Sequence, residues 1–146
     1  MYTFSMDKHI GLGTQIIVRN DKGEILLSKR SKEICFGEWE LPGGHIEFGE
    51  TFEHCVKREC QEELGIEVRV SSLVSVAPNF IQGNHYIVFV FLASSFEGTP
   101  KNMEPDVHSE MKWFPEGQLP ENIFIASKHA LENYHSGVVY KPDVEK

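Results

Sequence analysis

The hydrophobic and polar positions divide the chain into short strands and two helices. Apolar runs of strand type occupy residues 10–18, 24–29, 39–41, 68–76, 85–93 and 111–114. The turn sequence at 20–23 joins the first two runs as a hairpin, and Pro42 ends the third. A turn-rich segment at 78–84 separates the fourth and fifth runs, and a polar loop covers 98–108.

Two segments have helical periodicity and clear end signals. Thr51 is suited to cap a helix that runs to about Leu64 and stops at Gly65. A second helix follows Asn122 and ends at Gly137. Strands around one central helix and one late helix predict an α/β fold, in which a mixed β-sheet lies between helices in a single domain over residues 1–146.

The first predicted helix changes character along one face. Phe52 and Val56 begin an apolar stripe, Glu59 and Glu63 continue it one and two turns later, and Glu62 lies beside it. Acidic groups in the last turns of a helix oppose its dipole, at roughly 0.3–1 kcal/mol each. Repulsion between Glu59 and Glu63 adds about 0.2–0.5 kcal/mol. Such a helix end either presents a solvated acidic face or binds a cation.

A divalent metal is the interpretation that the chemistry favours. Mg²⁺ takes hard oxygen ligands and shares its coordination shell with water and substrate phosphates. Through such an ion, an acidic protein can bind a phosphorylated molecule and activate water for attack on phosphorus. Lys29 and Arg30, at the end of the second strand, are candidates to neutralise the remaining phosphate charge, or else a solvated pair at a strand end.

Composition narrows the choice of partners. The net charge of −8 over 146 residues argues against nonspecific binding to nucleic acid, which needs clustered Lys and Arg. The first residues lack the features of a signal peptide, and no apolar run approaches the roughly 20 residues of a membrane span. The scattered thiols of Cys35, Cys55 and Cys60 fit a reducing compartment. We therefore expect a cytoplasmic protein without membrane or nucleic acid partners.

The segment from Gly44 to Ile66 resembles the Nudix box. That pattern is G, five residues, E, seven residues, then R-E-U-x-E-E-x-G-U, in which U is aliphatic. The matching residues are Gly44, Glu50, Arg58, Glu59, Glu62, Glu63, Gly65 and Ile66. Cys60 takes the first U position, where a small apolar side chain should pack acceptably.

The resemblance implies the Nudix fold, an α/β/α sandwich in which the box forms a loop–helix–loop. It also implies hydrolysis of a nucleoside diphosphate linked to another group, with Mg²⁺ or Mn²⁺ as cofactor. By position, Glu59 and Glu63 would be the principal metal ligands, and Glu62 would bind directly or through water. The backbone carbonyl of Gly43 or Gly44 would join them.

Further roles follow from the same resemblance. Arg58 would hold Glu50 and orient the glutamates around the metal. Arg30 matches the phosphate-contacting arginine after the second strand of MutT-like members. Glu110, just before the last strand, matches a distal glutamate that some members use as metal ligand or general base. The general base stays open between Glu63 and Glu110.

The similarity covers roughly residues 9–135. The stretches at 41–51, 79–86 and 101–105 are similar to those of MutT-like nucleoside triphosphate diphosphatases, which release a nucleoside monophosphate and pyrophosphate, some from oxidised or modified guanine nucleotides. A nucleotide-sugar or ADP-ribose pyrophosphatase stays open, because Pro78 lies 12 residues after Ile66. A non-catalytic nucleotide-binding module is disfavoured by the complete set of box glutamates. Members of this branch are frequently homodimers.

The residues of a base pocket carry weaker signals. The first strand could let a nucleotide approach its backbone closely at Gly11, Gly13, Thr14 and Gln15. Phe80 is a candidate to stack on the base, and Asn79 or Asn84 to hydrogen-bond its edge. Each of these residues has an equally good structural interpretation as a core aromatic, a turn asparagine or a strand position.

Overall fold

The computed structural model describes residues 8–142. Its elements in chain order are β1 (Ile10–Ile17), β2 (Glu24–Arg30), β3 (Trp39–Glu40), β4 (Gly43–His45), α1 (Phe52–Leu64), β5 (Glu67–Ile81), β6 (Asn84–Glu97), β7 (His108–Pro115) and α2 (Ile125–Ser136). A turn of 3₁₀-helix, Glu116–Gln118, follows β7. Within the described residues, neither helix has the length and apolar character needed to cross a bilayer.

The strands form two sheets. The larger one is mixed, with strand order β4–β1–β6–β5, and β1 runs parallel to β6. The smaller one, β3–β2–β7, is antiparallel. The predicted α/β fold with a mixed sheet is confirmed, but the strands divide into two sheets. The turn at 20–23 is present, and β1 and β2 separate after a bridge between Arg19 and Ile25 because each then pairs with a different strand.

Two hydrophobic clusters lie on opposite faces of β1. The cluster on the α1 side contains Ile16, Val18, Val56, Cys60, Leu64 and Ile66. The cluster on the α2 side contains Ile17, Leu41, Val88, Phe124, Ala126 and Leu131. Alternate side chains of β1 therefore enter different cores, as expected for a strand buried on both faces. The same alternation directs the neighbouring polar residues Thr14 and Gln15 to opposite faces of β1.

Helix α1 begins and ends as predicted. The Thr51 hydroxyl accepts a hydrogen bond from the His54 backbone N–H at 3.1 Å. Gly65 adopts a left-handed conformation with φ of 67° and ends the helix. With its first and last residues fixed by these caps, α1 has Glu59, Glu62 and Glu63 in its last two turns.

The turn-rich segment predicted between the fourth and fifth strands is mostly strand. β5 continues through Pro78 and Asn79, and the turn consists of Gln82 and Gly83, with φ values of 48° and 81°. Such positive φ angles suit a two-residue hairpin turn. Pro78 is tolerated because β5 is an edge strand of its sheet. The longer strand places Asn79 inside the fold, with 6% of its surface exposed.

Candidate active site

Arg58 holds the carboxylates of the loop before α1 and of the helix together. Its Nε and Nη2 donate to the two oxygens of Glu50, at 2.6 and 3.0 Å. Its Nη1 donates to Glu59 and to the half-exposed Glu62, at 3.2 Å each. The hydrogen bond from Arg58 lowers the pKa of Glu50 far below its usual range. Because this pair stays ionised, it fixes the direction of the neighbouring glutamates.

The Glu59 carboxylate lies directly against Gly44. A Cβ atom on residue 44 would overlap Glu59 Oε2, so the approach requires glycine. Burial raises the pKa of Glu59 to about 7, Arg58 partly offsets this, and Glu62 and Glu104 raise it further. Near neutral pH the protonated form of Glu59 is therefore favoured over an anion that has no further positive partner.

Glu63 is the most buried of the box glutamates, with 6% of its surface exposed. Burial raises its pKa well above the usual value, and the charges of Glu59, Glu40 and Glu104 add to the effect. A hydrogen bond from the Gly43 backbone lowers it in part. A buried carboxyl group among other carboxylates is stable as an anion only with a positive partner.

The loop after β6 brings another acidic residue to this end of α1. The backbone N–H groups of Lys101 and Met103 donate to the carbonyls of Leu64 and Glu63, at 3.0 and 2.9 Å. These bonds satisfy carbonyls that the helix itself leaves free at its C-terminus. Glu104 follows directly, and its charge raises the pKa of Glu63.

Glu110 lies elsewhere. It is exposed on β7, opposite Lys29 of β2. Its neighbours Met111 and Trp113 pack on the α1 side, so strand alternation turns Glu110 toward the other face. Glu104, rather than Glu110, therefore reaches the end of α1, and the functional role of Glu110 stays a prediction. The prediction rested on closeness to the last strand, whereas the docked loop decides which carboxylate reaches the helix.

The donor set suits a hard divalent cation. Glu59, Glu63 and Glu104 crowd one another electrostatically, and the Gly44 backbone lies against them. Over residues 8–142, no group of three metal-binding side chains converges closely enough to hold an ion alone. Mg²⁺ does not need such a cage, because it keeps several waters and takes oxygens from substrate phosphates.

A cavity of about 300 Å³ lies beside the carboxylates, and Gly43 and Gly44 belong to its wall. Its apolar lining includes Ile34, Leu41, Ile81, Val88, Phe124 and Ala126. The rings of His45 and Tyr86, which also line it, stack with centroids 5.0 Å apart. A mostly apolar cavity with a few polar groups is typical of a small-molecule site.

Arg30 lines the cavity and is held in one orientation. Its Nη1 donates to Glu40 Oε1 at 2.7 Å, and its guanidinium lies 4.6 Å from the centre of the Phe124 ring. The other oxygen of Glu40 lies 2.8 Å from Nε2 of the buried His108. The guanidinium of Arg30 is therefore ordered at the cavity wall, and its contact with phosphate stays a prediction.

The other predicted substrate contacts divide into two groups. Those that line the cavity are Thr14, Asn79 and Asn84. Lys29 instead lies over the Trp39 ring, 5.8 Å from its centroid. The Phe80 ring packs on His85, with centroids 4.6 Å apart, on the opposite face of β5 from Asn79.

Thr14 makes a contact that its sequence position did not reveal. Its hydroxyl donates to the Gly44 carbonyl at 3.0 Å and lies 3.2 Å from Cys55 Sγ. With 1% of its surface exposed, Thr14 supports the backbone of β4 from the α1 side. The hydroxyl is thereby engaged within the protein and holds a carbonyl that was predicted to bind metal.

Sequence reasoning missed two residues of this region, Glu104 and Glu40, and gave a third, Gln15, only a backbone role. Glu104 lies in the K-N-M-E-P stretch that resembles MutT-like chains, so its signal was available. Gln15 was predicted only as a position where a nucleotide approaches the backbone, although a buried polar side chain in an apolar strand is itself an informative pattern. Glu40 gave no signal, because its partners Arg30 and His108 come from other strands.

Comparisons with known proteins identify the family of this chain. The family model described as NUDIX domain matches residues 9–134. The human 8-oxo-dGDP phosphatase NUDT18 is 36% identical over 103 residues, which are 69% of this chain and 31% of that protein. The Escherichia coli 8-oxo-dGTP diphosphatase is 36% identical over 89 residues, 60% of this chain and 69% of its own. An ADP-ribose pyrophosphatase of Methanocaldococcus jannaschii is 35% identical over 118 residues, 80% of this chain and 68% of its own.

The fold has a close counterpart among solved structures. The MutT NUDIX hydrolase from Burkholderia pseudomallei superposes with a TM-score of 0.82 at 36% sequence identity, covering 86% of this chain and 98% of that one. The chain spans about a third of the length of the human and mouse relatives that it matches. The match over residues 9–134 and the arrangement of the box residues lead to one conclusion: the chain belongs to the Nudix family.

Proposed function

We propose that this chain is a Mg²⁺-dependent hydrolase that converts a nucleoside triphosphate, including a modified or oxidised one, to the monophosphate and pyrophosphate. One observation carries the proposal. Glu59 and Glu63 meet the backbone of Gly43 and Gly44 where these glycines also form the wall of the cavity, beside Arg30. The acidic C-terminal end of α1, proposed to bind the metal, and the cavity, which is large enough for a nucleotide, therefore meet at strand β4.

The box residues take the following roles. Glu59 and Glu63 are the principal ligands, and the half-exposed Glu62 supports them through water. Arg58 is a positioning residue for these glutamates. The carbonyl of Gly43 or Gly44 completes the protein's share of the site. Bound Mg²⁺, or Mn²⁺ in its place, supplies neutralisation of phosphate charge and a lower pKa for bound water.

Arg30 is proposed to bind the phosphate chain. A guanidinium can pair with phosphate through two parallel hydrogen bonds, and Glu40 and Phe124 already restrain this one. Little further ordering is needed when substrate arrives. Lys29, the neighbouring cation, is assigned a weaker role, because it lies over Trp39 and does not line the cavity.

The hydrolysis requires a base. The oxygen of water bonds to phosphorus, the α–β phosphoanhydride bond breaks, and pyrophosphate separates from the monophosphate. A proton of the attacking water passes to a carboxylate. We assign this proton to Glu104, because Glu63 is engaged as a ligand and Glu104 enters from a separate loop.

A direct test measures pyrophosphate release from a panel of nucleoside triphosphates, with MgCl₂ and with EDTA. We expect no turnover in EDTA. We expect about 10²–10³-fold lower kcat for Glu59→Gln and Glu63→Gln, the scale for losing one charge-stabilising group. Glu53→Gln is the matched control, since Glu53 lies on α1 and pairs only with the exposed Lys57 in the described structure. Full activity in a folded Glu63→Gln variant would contradict the assignment.

The second candidate is a nucleotide-sugar or ADP-ribose pyrophosphatase. The archaeal relative with that printed activity matches over 80% of this chain and supports it. The acidic end of α1 would have the same role in hydrolysing either kind of substrate, because the two differ only in the group attached beyond the nucleoside diphosphate. Product analysis separates the two: a triphosphate gives pyrophosphate, whereas a diphosphate diester gives two monophosphates.

The proposal includes a cytoplasmic setting and a small nucleotide substrate. The net charge of −8 supports a small ligand bound through metal over a nucleic acid polymer or a membrane surface. A homodimer is proposed from the resemblance to MutT-like members, and sedimentation of the purified protein tests it.

A further inference from the structure

Two buried amide side chains line the cavity, and one of them has an oxygen that is unpaired within the described structure. Gln15 and Asn79 line it, with 7% and 6% of their surface exposed. Within residues 8–142, the buried oxygen of Asn79 has no hydrogen-bond partner. Leaving a buried polar group unpaired costs about 1–3 kcal/mol. A fold that keeps such a group at the wall of a cavity, next to a second buried amide, is suited to a ligand that pairs with both.

The orientation of the Gln15 amide is fixed by a relay of hydrogen bonds. The Leu41 backbone N–H, which can only donate, bonds Ser127 Oγ at 2.9 Å. The Ser127 hydroxyl donates to Gln15 Oε1 at 3.0 Å. Since the oxygen of Gln15 is used by Ser127, its NH₂ group is the end left for a ligand.

The relay also fixes the amide in space. Ser127 belongs to α2 and has none of its surface exposed, and Gln15 lies on β1 opposite Gly43 of β4. Strand β1, helix α2 and the backbone at Leu41 therefore fix the position of the Gln15 NH₂ group. Gly43, on the neighbouring strand β4, separates this group from the carboxylates of α1. A nucleotide whose phosphates lie at Gly43 and Arg30 would place its base in the remaining part of the cavity.

We propose that Gln15 is a specificity-determining residue whose NH₂ group donates to a carbonyl oxygen on the edge of the base. Asn79 pairs with an adjacent position of the same edge. The inference rests on the proposed function for the identity of the ligand as a nucleotide. It selects bases with a carbonyl at this position over bases with an amino group there, because an amino group would set a donor against a donor.

For purines the distinction is simple. Guanine and hypoxanthine have a carbonyl at C6, whereas adenine has an amino group. A site with a buried, directed hydrogen-bonding group discriminates strongly, because the wrong ligand leaves that group unpaired. One such bond corresponds to about a tenfold difference in affinity.

The experiment measures binding of GMP, IMP and AMP by calorimetry in MgCl₂. We expect wild type to bind GMP and IMP about tenfold more tightly than AMP, for the reason above. Gln15→Leu should bring the three affinities close together. Gln15→Glu keeps an oxygen for Ser127 and turns an acceptor toward the cavity, so the preference should shift toward AMP. Gln118→Leu is the matched control, since Gln118 is exposed and outside the cavity.

The outcomes separate this inference from the proposed reaction. Binding of monophosphates needs no turnover, so a chain that prefers GMP and IMP but hydrolyses no triphosphate overturns the reaction and supports the role of Gln15. Equal affinities in wild type, no binding of any monophosphate, or an unchanged preference in Gln15→Leu overturns the role of Gln15. Circular dichroism checks folding. If Gln15→Leu does not fold, the wild-type comparison of IMP with AMP decides alone.

Discussion

The acidic end of α1 and the cavity on the α2 side lie on either side of one strand and are built in opposite ways. At the helix end, Glu59, Glu63 and Glu104 crowd together, so that burial and mutual repulsion raise the pKa values of the two box residues. The cavity instead has apolar walls and the neutral amides of Gln15 and Asn79. A dense set of carboxylates suits metal-dependent hydrolysis, whereas neutral hydrogen-bonding groups in fixed orientations suit recognition of one kind of substrate.

The two glycines of β4 mark the boundary between these regions. A Cβ atom at residue 44 would meet the flexible end of the Glu59 side chain, whereas one at residue 43 would meet the backbone of Thr14. A side chain at residue 44 would therefore move the Glu59 carboxylate, whereas a side chain at residue 43 would force the backbones of β4 and β1 apart. Adjacent glycines thus serve different purposes.

Among changes that separate the acidic end from the cavity, Gly44→Ala has the largest expected effect. The added methyl group pushes the Glu59 carboxylate from its place, so kcat should fall about 10²-fold, while Tm changes little because only a side-chain end has to move. Kinetics and a thermal melt of the same sample check both parts. Gly43→Ala is the contrasting variant and should mainly lower Tm. Unchanged turnover in Gly44→Ala would contradict the view that Gly44 is needed for the position of Glu59.

A smaller effect distinguishes the two distal glutamates. Glu104→Gln should lower kcat about 10- to 100-fold, because it removes the proposed base beside the metal ligands. Glu110→Gln should leave kcat within about twofold of wild type, since an exposed residue on the far face of β7 does not touch the acidic end. Parallel measurement of kcat in MgCl₂ checks the pair. The reverse ranking would restore Glu110 as the functional residue.

The smallest effect concerns stability against pH in EDTA. Without a cation, folded Glu59 keeps its proton up to a pKa of about 7, whereas the unfolded chain releases it near pH 4.3. The folded state then binds more protons, so the free energy of unfolding falls as pH rises through this window and levels off above it. A shift of this size corresponds to about 3.7 kcal/mol, and screening by solvent reduces the fall attributable to Glu59 to on the order of 2 kcal/mol.

Urea titrations between pH 5 and 8 check this dependence. Glu59→Gln should show a shallower fall in EDTA, and the cavity variant Gln15→Leu should keep the wild-type slope, since its amide does not titrate. Added MgCl₂ should raise the stability of wild type above pH 7, because a ligand that binds only the folded state stabilises it. A slope that is identical in Glu59→Gln and wild type would count against the raised pKa.

Local sequence predicted the acidic end well because its parts are close in the chain. Thr51, Gly65 and the spacing of Arg58, Glu59 and Glu63 determine one helix with known caps and one charged face. The placement of Glu104 depends on backbone bonds between the 98–108 loop and the end of α1, which no spacing rule reveals. Proximity to a strand therefore favoured Glu110.

The cavity was predicted poorly because its parts are distant in the chain. Pro78 and Asn79 are turn formers by composition, yet an edge strand tolerates the proline and buries the asparagine. The hydrogen bond between Gln15 and Ser127 joins residues 112 positions apart. Pairing over such a distance depends on how β1 and α2 pack, and it leaves no periodic signature.

Strand β1 carries both regions on neighbouring residues. Thr14 supports Gly44 on one face, and Gln15 enters the cavity on the other. An insertion or deletion of a single residue within this strand would exchange the two faces, so both halves of the site would fail at once. Descendants of this chain can therefore acquire new base preferences by replacing side chains at position 15, while the length of the strand stays fixed.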